Sequence, residues 1–183
     1  MRYQLNVTLT EEDYLAFNNF HALESTSGKK QIRNSRILLI TCMTILMAFV
    51  LLVLGWTTFS VIYVILLGLF LVLYLLLFKK IIKRNIKAQI KRLKKTGKLP
   101  FDSVARLEFY DDKIVEITAD KRVEQRYDGL ERICVAGDEF IYLYNSSVNA
   151  YIFPIPQLRT QLEQEDFLNF LSQKCNSIEY YYM

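Results

Sequence analysis

The residues that could carry acid–base or metal chemistry are few. His21 is the only histidine, so any Ser–His–Asp or Cys–His arrangement would need that one residue. The adjacent carboxylates Asp111–Asp112 and Asp138–Glu139 fall in predicted turns, where such residues are typically solvated. No glycine-rich phosphate loop, HExxH or GxSxG motif occurs. We therefore predict no catalytic residue and no cofactor, and we expect that the protein is not an enzyme.

The three cysteines, Cys42, Cys134 and Cys175, have no CxxC or Cys/His spacing. Their expected role is that of small buried hydrophobic residues, and the sequence predicts no metal site.

The strongest chemical signal is a basic run. Residues 78–100 read FKKIIKRNIKAQIKRLKKTGKLP, with ten Lys or Arg and no acidic residue. Binding of nucleic acid is not expected, because the run abuts an apolar block and lacks interleaved aromatic residues. We predict instead that it contacts the membrane surface and its anionic lipids. The residues assigned to this contact are Lys79, Lys80, Lys83, Arg84, Lys87, Lys91, Arg92, Lys94 and Lys95.

The element that must position this run is a block of 42 uncharged residues, 37–78. One crossing of a bilayer needs about 20 apolar residues. The block therefore predicts a transmembrane hairpin with spans at 37–54 and 61–78, and with Trp56 in the link at the far interface. A cleaved signal peptide is excluded, because the block begins too late and is too long.

Charge on both sides of the block predicts its orientation. Residues 25–101 contain no Asp or Glu, and Lys29, Lys30, Arg33 and Arg36 precede the first span. Because Lys and Arg near membrane ends stay on the cytoplasmic side, both termini are predicted to be cytoplasmic. The expected location is the cell membrane, with the chain as a multi-pass protein.

The basic run also has a helical pattern. Ile82, Ile86, Ile90 and Leu93 recur at helical spacing, and Gly97 suits a helix end. We predict an amphipathic juxtamembrane helix over 79–98, either standing as a stalk or lying on the inner leaflet.

The remaining chain predicts small cytoplasmic elements. Residues 1–36 should hold a strand near 3–9, a short helix and a flexible link at 25–28. Residues 99–175 alternate apolar and polar side chains between turns, which predicts six antiparallel strands, and Thr160–Glu163 resembles a capping box that starts a C-terminal helix. Residues 176–183 are expected to form a flexible tail. The predicted fold class is α+β: a two-helix transmembrane hairpin plus a small antiparallel β-barrel or sandwich closed by a C-terminal helix.

Several stretches together resemble a known family. LTEEDYLAFNNFH near the start, the two-span hairpin, the basic helix and FYDDKIVEIT…YDGLERICVAGDEFIYLYNSSVNAYIFPIPQL are similar to the YcxB-like family of bacterial membrane proteins. The resemblance implies a cytoplasmic pleckstrin-homology-like (PH-like) domain on a membrane hairpin. It implies no activity, because the function of that family is unknown.

These observations leave more than one function open. The first is a membrane-anchored, non-catalytic interaction or sensing module of unknown ligand. The alternative is a homo-oligomeric membrane structural or assembly protein, and an unrecognised enzyme ranks last. The expected partners are a bilayer with an anionic inner leaflet and either an unknown protein or a second copy of the chain, with no nucleic acid.

Overall fold

The computed structural model describes residues 1–97, 101–175 and 177–182. The chain forms two compact units, Met1–Asn18 with Ile90–Met183, which we call the β unit, and Asn19–Gln89, which we call the helical unit. The helices are α1 (Glu11–Leu23), α2 (Thr26–Leu54), α3 (Thr58–Lys95), α4 (Ile155–Arg159) and α5 (Gln164–Ser172). The strands are β1 (Tyr3–Thr8), β2 (Val104–Phe109), β3 (Lys113–Ile117), β4 (Arg122–Arg126), β5 (Arg132–Ala136), β6 (Phe140–Tyr144), β7 (Ala150–Pro154) and β8 (Ile178–Tyr181). The protein is thus mixed α+β, with two long apolar helices.

The first sheet joins the beginning of the chain to its middle. Its strand order is β1-β2-β3-β4, and every neighbouring pair is antiparallel. β1 pairs with β2 over its whole length, from Tyr3 opposite Phe109 to Thr8 opposite Val104. The N-terminal strand therefore belongs to the β unit.

The second sheet has the order β7-β6-β5-β8 and includes one parallel pair, β5 with β8. The expectation of a flexible tail at 176–183 is wrong for Ile178–Tyr181, which pair with Ile133–Ala136. Ile178 packs on the core, whereas Glu179 and Tyr181 lie on the opposite face, which is the period of a strand. Asn176 and Met183 lie outside the described residues. The two sheets are not joined into a closed barrel in the part of the chain that the structure describes, so the barrel alternative is not supported.

Both sheets share one core. In the strands that contribute to this core, alternate residues face it because side chains on a strand point to opposite faces in turn, whereas the edge strand β4 contributes none of the described core residues. Phe167 of α5 lies at its centre, with ring centroids 5.0 Å from Phe109 and 5.9 Å from Phe153. Both contacts are edge-to-face, the arrangement that aromatic quadrupoles favour. The fully buried members of the core include Leu5, Phe109, Ile114, Ile133, Ile141, Leu143, Phe153, Ile155, Phe167 and Leu171.

The C-terminal helical region differs from the expected capping box. Thr160 ends α4, and its hydroxyl donates to the carbonyl of Gln157 rather than capping a new helix. α5 begins at Gln164, with Glu163 as an N-cap whose side chain makes no capping bond. The reason is local: Pro156 in the first turn of α4 starts a helix earlier than the pattern predicted.

The flexible link expected at 25–28 is instead an ordered, hydrogen-bonded start of α2 in the helical unit. Ser25 caps α2: its Oγ accepts from the Gly28 amide at 3.0 Å and donates to the His21 carbonyl at 2.6 Å. A Cβ on Gly28 would lie 2.2 Å from the His21 carbonyl oxygen, so only glycine fits this close approach. α2 ends at Leu54, and α3 begins at Thr58, inside the link predicted at 55–60. α3 then continues without a break through the basic run to Lys95, and residues 98–100, where the helix was expected to end, lie outside the described residues.

Two glutamines complete the free edge of β1. The Gln161 side chain accepts from the Asn6 amide and donates to the Asn6 carbonyl, both at 2.8 Å. The Gln157 side chain accepts from the Thr8 amide at 3.0 Å and donates to the Thr8 carbonyl at 2.8 Å. Each amide group offers one donor and one acceptor, as a neighbouring strand would. We call this pair of side chains the glutamine clasp.

The glutamine clasp should contribute to stability. We expect Gln157→Ala and Gln161→Ala each to lower the free energy of unfolding by about 1 kcal/mol, because each removes two hydrogen bonds at a partly solvated edge. Denaturant unfolding of the full-length protein in detergent, followed by near-ultraviolet circular dichroism of the core aromatic residues, measures this. Gln173→Ala, an exposed glutamine just after α5, is the control and should change stability by less than about 0.5 kcal/mol. Equal effects at all three positions would show that the clasp contributes nothing specific.

Candidate functional site

The β unit contains a cleft of about 320 Å³. It opens between the inner face of the first sheet and strand β7 with its preceding loop. The apolar part of its wall is Val7, Leu9, Ala105, Leu107, Ala150 and Ile152, the aromatic part is Tyr14, Phe17, Phe101 and Tyr151, and the polar part is Asp102, Glu116, Lys121, Asn145 and Asn149. The volume lies at the lower end of the range of small-molecule sites, about 300–1,000 Å³.

One carboxylate faces the inner side of this cleft. Glu116 lies opposite Leu107 in the β2–β3 register and two residues after Ile114, so it shares the core-facing side of the sheet with both. Its side chain is half-buried. Among the described residues, no hydrogen bond or ion pair reaches its carboxylate. Within the part of the chain that the structure describes, Glu116 is thus an acid without a partner on a largely apolar face.

The surroundings of Glu116 raise the pKa of its carboxyl group above the ordinary value. Burial is the main cause, the negative charge of Asp102 adds to it, and the positive charge of Lys121 opposes it. Lys121 does not neutralise Glu116 directly, because its ammonium group is paired with Asp102 at 2.8 Å. That ion pair is partly exposed at the mouth of the cleft.

Two further polar side chains of the wall are Tyr151 and Asn145. Burial raises the pKa of Tyr151 to about 12, so this phenol stays neutral at physiological pH. The Oδ1 atom of Asn145 is buried and has no donor among the described residues. A buried acceptor without a donor is uncommon in folded proteins and costs stability unless a ligand or water supplies one.

The aromatic side of the cleft is held by the start of α1. Thr10 and Asp13 cap this helix reciprocally: the Asp13 amide donates to Thr10 Oγ1 at 3.1 Å, and the Thr10 amide donates to the Asp13 carboxylate at 2.9 Å. One residue further, Tyr14 stacks on Phe101, with ring centroids 4.9 Å apart. The capped start of α1 thus holds Tyr14 against Phe101, and the two rings form a flat aromatic part of the cleft wall, which also includes Val7 and Leu9.

The nine basic residues predicted to contact the membrane lie on α3 and are exposed. Among the described residues, only Lys94 of the nine forms an ion pair, with Glu11 at 2.6 Å. The apolar stripe of this helix is less exposed, and Ile90 is buried. The basic residues therefore form a charged surface, not a pocket, and none of them lines the cleft.

The carboxylates and cysteines considered in the sequence analysis lie outside the cleft. Asp111 and Asp138 lie in turns, as predicted, and form surface ion pairs with Arg2 and Arg159. Cys42 is exposed on α2, and Cys175 is buried at the edge of the core. The described residues contain no group of three or more His, Cys, Asp or Glu that could hold a metal ion.

Cys134 belongs to a buried polar cluster on the outer face of the second sheet. Its thiol lies 3.9 Å from a carboxylate oxygen of Glu179, which also accepts a hydrogen bond from the Tyr181 hydroxyl. Arg132 stacks over the Tyr144 ring at 4.2 Å. Burial and the Glu179 charge raise the pKa of the Cys134 thiol to about 12, so it is protonated and a poor nucleophile. The cluster joins side chains of β8 to those of β5, with which β8 pairs.

Sequence reasoning missed the cleft. Glu116 occurs in the strand KIVEI, where it looks like the polar member of an alternating pattern. The sequence does contain one signal: Glu116 follows Ile114 by two residues, so both side chains lie on the same face of β3. Which face of β3 is buried could not be predicted without the pairing of β3 with β2.

No protein-family model, curated protein or solved structure matches this chain.

The raised pKa of Glu116 gives a testable dependence of stability on pH. Between the ordinary pKa and the raised one, the folded chain binds more protons than the unfolded chain, so stability falls as pH rises through that window. Glu116→Gln removes the cost of burying the charge. We expect the variant to have a higher melting temperature than the wild type at pH 7, with the difference shrinking as pH falls below the window.

Glu124→Gln on the neighbouring strand is the matched control. The hydrogen bond from Lys113 lowers the pKa of the Glu124 carboxyl, so this substitution should slightly reduce stability at pH 7. If Glu116→Gln is also less stable than the wild type at pH 7, stabilising contacts outweigh burial at the Glu116 carboxylate, and the acid is not unpaired.

Proposed function

We propose that the protein is a membrane-anchored, non-catalytic interaction or sensing module, in which the cleft of the β unit is the binding site. The observation that carries the anchoring is the composition of α2 and α3. Each contains an apolar window long enough to cross a membrane, and protein covers almost none of either window. Exposed apolar surface on this scale requires lipid or another protein against it.

The pairing of β1 with β2 supports a hairpin that returns to its starting side. β1 precedes both apolar helices and β2 follows them, yet the two strands are hydrogen-bonded neighbours. If both helices cross the bilayer, the β unit can form only when the two flanks lie on the same side. Because the flanks are rich in Lys and Arg, we assign that side to the cytoplasm, with both termini there and the chain multi-pass in the cell membrane.

The distribution of charge supports the same arrangement. The basic residues of α3 are exposed, and each one close to an anionic membrane surface is attracted by about 1 kcal/mol. In contrast, residues 99–183 carry 8 basic and 15 acidic residues. This acidic segment is repelled by the same surface that attracts the basic helix. We therefore propose that α3 contacts anionic lipid while the β unit faces the cytoplasm.

The order of the elements supports a PH-like arrangement and the resemblance to the YcxB-like family. A four-stranded antiparallel sheet is followed by three antiparallel strands, β5, β6 and β7, and then by α5, whose Phe167 and Leu171 lie in the core. In this proposal the membrane hairpin is an insertion between the first and second strands of the domain. β8 is an addition at the edge of the second sheet.

Self-association is the second candidate function, and it is also suggested by the exposed apolar surface of α2 and α3. The exposed apolar residues of α2 and α3, such as Phe49, Leu52 and Phe70, could be covered by a second copy as well as by lipid. The Thr44 hydroxyl donates its hydrogen bond to the Ile40 carbonyl of the same helix, so in this structure it is not free to donate one to a second copy. Light scattering in detergent distinguishes the two candidates, because a monomer at every concentration excludes an obligate oligomer.

Labelling with a membrane-impermeant maleimide tests the proposed topology. We expect Trp56→Cys, at a side chain that is 86% exposed between the two helices, to react in intact cells. Val123→Cys, on the exposed edge strand β4, should react only after permeabilisation. The wild-type chain is the control for its own thiols, of which Cys134 and Cys175 are buried. Reaction of Val123→Cys in intact cells, or of Trp56→Cys only after permeabilisation, would contradict the proposal.

A further inference from the structure

We propose that the cleft binds a small organic cation, an amine with an aromatic or aliphatic body. This inference rests on the proposed function, because it names the ligand class of the same cleft. Three independent features of the wall support it: the unpaired acid, the unpaired buried acceptor and the stacked aromatic surface.

The charge of the cleft selects a cation. Glu116 supplies a negative charge on the inner wall, and the positive charge nearest to it, on Lys121, is already paired with Asp102. An anionic ligand would meet two carboxylates and one neutralised ammonium group. A neutral ligand would leave the Glu116 charge buried deeper and still unpaired, which is costly. A cation relieves that cost, because it pairs with the group that lacks a partner.

The hydrogen-bonding capacity of the cleft selects a donor. Two groups of the wall have no donor among the described residues, the half-buried Glu116 carboxylate and the buried Asn145 Oδ1, and both are acceptors. A protonated amine carries N–H donors and no acceptor at its nitrogen, so it complements this wall.

The aromatic wall selects the body of the ligand. Tyr14 and Phe101 present a stacked pair of rings, and Val7, Leu9 and Ile152 lie around the same space. Aromatic faces attract both apolar surface and cationic nitrogen. The volume of about 320 Å³ suits a compact molecule. We therefore favour a small amine over a lysine or arginine side chain of a partner protein.

The experiment uses three probes of similar shape and different charge: 2-phenylethylamine, 2-phenylethanol and 3-phenylpropionate. Each is titrated into the full-length protein in detergent at pH 7, with ligand-observed nuclear magnetic resonance as the readout. We expect the amine to bind at least tenfold more tightly than the alcohol and the carboxylate. Glu116→Gln should weaken the amine about tenfold, whereas Glu124→Gln, outside the cleft, should leave it unchanged.

The dependence on pH provides a second readout. Lowering the pH through the raised pKa of Glu116 should release the amine, since protonation removes its counter-charge. The other charged groups that act on Glu116 are Lys121 and Asp102, and the phenol of Tyr151 also faces it. Asp102→Asn in the same titration separates the contribution of Asp102 and Lys121 from that of Glu116. The substitution frees the Lys121 ammonium group, so it should weaken amine binding, but release of the amine on protonation of Glu116 should persist.

Four outcomes would overturn the inference. They are equal binding of the three probes, unchanged binding to Glu116→Gln, no binding of any probe, or tighter binding of a lysine-containing peptide that displaces the amine. The peptide outcome assigns the cleft to a partner protein. If the maleimide pattern in cells remains as expected, these results reject the ligand class and leave the anchored module standing. If that pattern fails while the amine binds as expected, the anchoring is wrong and the cleft site stands.

Discussion

The pairing of β1 with β2 is the constraint on which the rest of the structure depends. Tyr3–Thr8 and Val104–Phe109 are neighbours in one sheet, although both apolar helices lie between them in the chain. The entropic cost of closing a loop grows only slowly with its length, so a long insertion is tolerable. Two helices of similar apolar length that run antiparallel would reduce the cost further, because they return the chain close to where it left.

The cleft exists only where this pairing brings the two flanks together. Val7 and Tyr14 come from the segment before the hairpin, whereas Phe101 and Asp102 come from the segment after it. The glutamine clasp and the contact of Tyr3 with Phe167, at 5.8 Å between ring centroids, hold β1 from its other side. The N-terminal strand is thus both the edge of the first sheet and part of the wall of the cleft.

Local patterns in the sequence were sufficient for most of the elements but not for α4, for β8 or for the partners of the strands. Turns at Asp111–Asp112 and Gly137–Asp138 delimit strands where alternation predicts them, and the lack of Gly or Pro after Phe78 predicts one continuous helix. Strand pairing between distant segments has no local signal, so the roles of β1 and β8 were missed. The site was missed for the same reason, since Glu116 faces inward only because Leu107 is its partner across the β2–β3 ladder.

The energetics of Glu116 support the proposal that its position reflects binding rather than packing. A core shaped by stability alone would place an apolar residue opposite Leu107 and beside Ile114, because burial raises the free energy of the ionised carboxylate. Natural proteins break local rules of this kind mainly at functional sites. The positive charge of Lys121 lowers the cost of burying the Glu116 carboxylate. It does not remove this cost, because the ammonium group of Lys121 is paired with Asp102. Among the described residues no cation pairs directly with this carboxylate, and the proposed amine would compensate its charge.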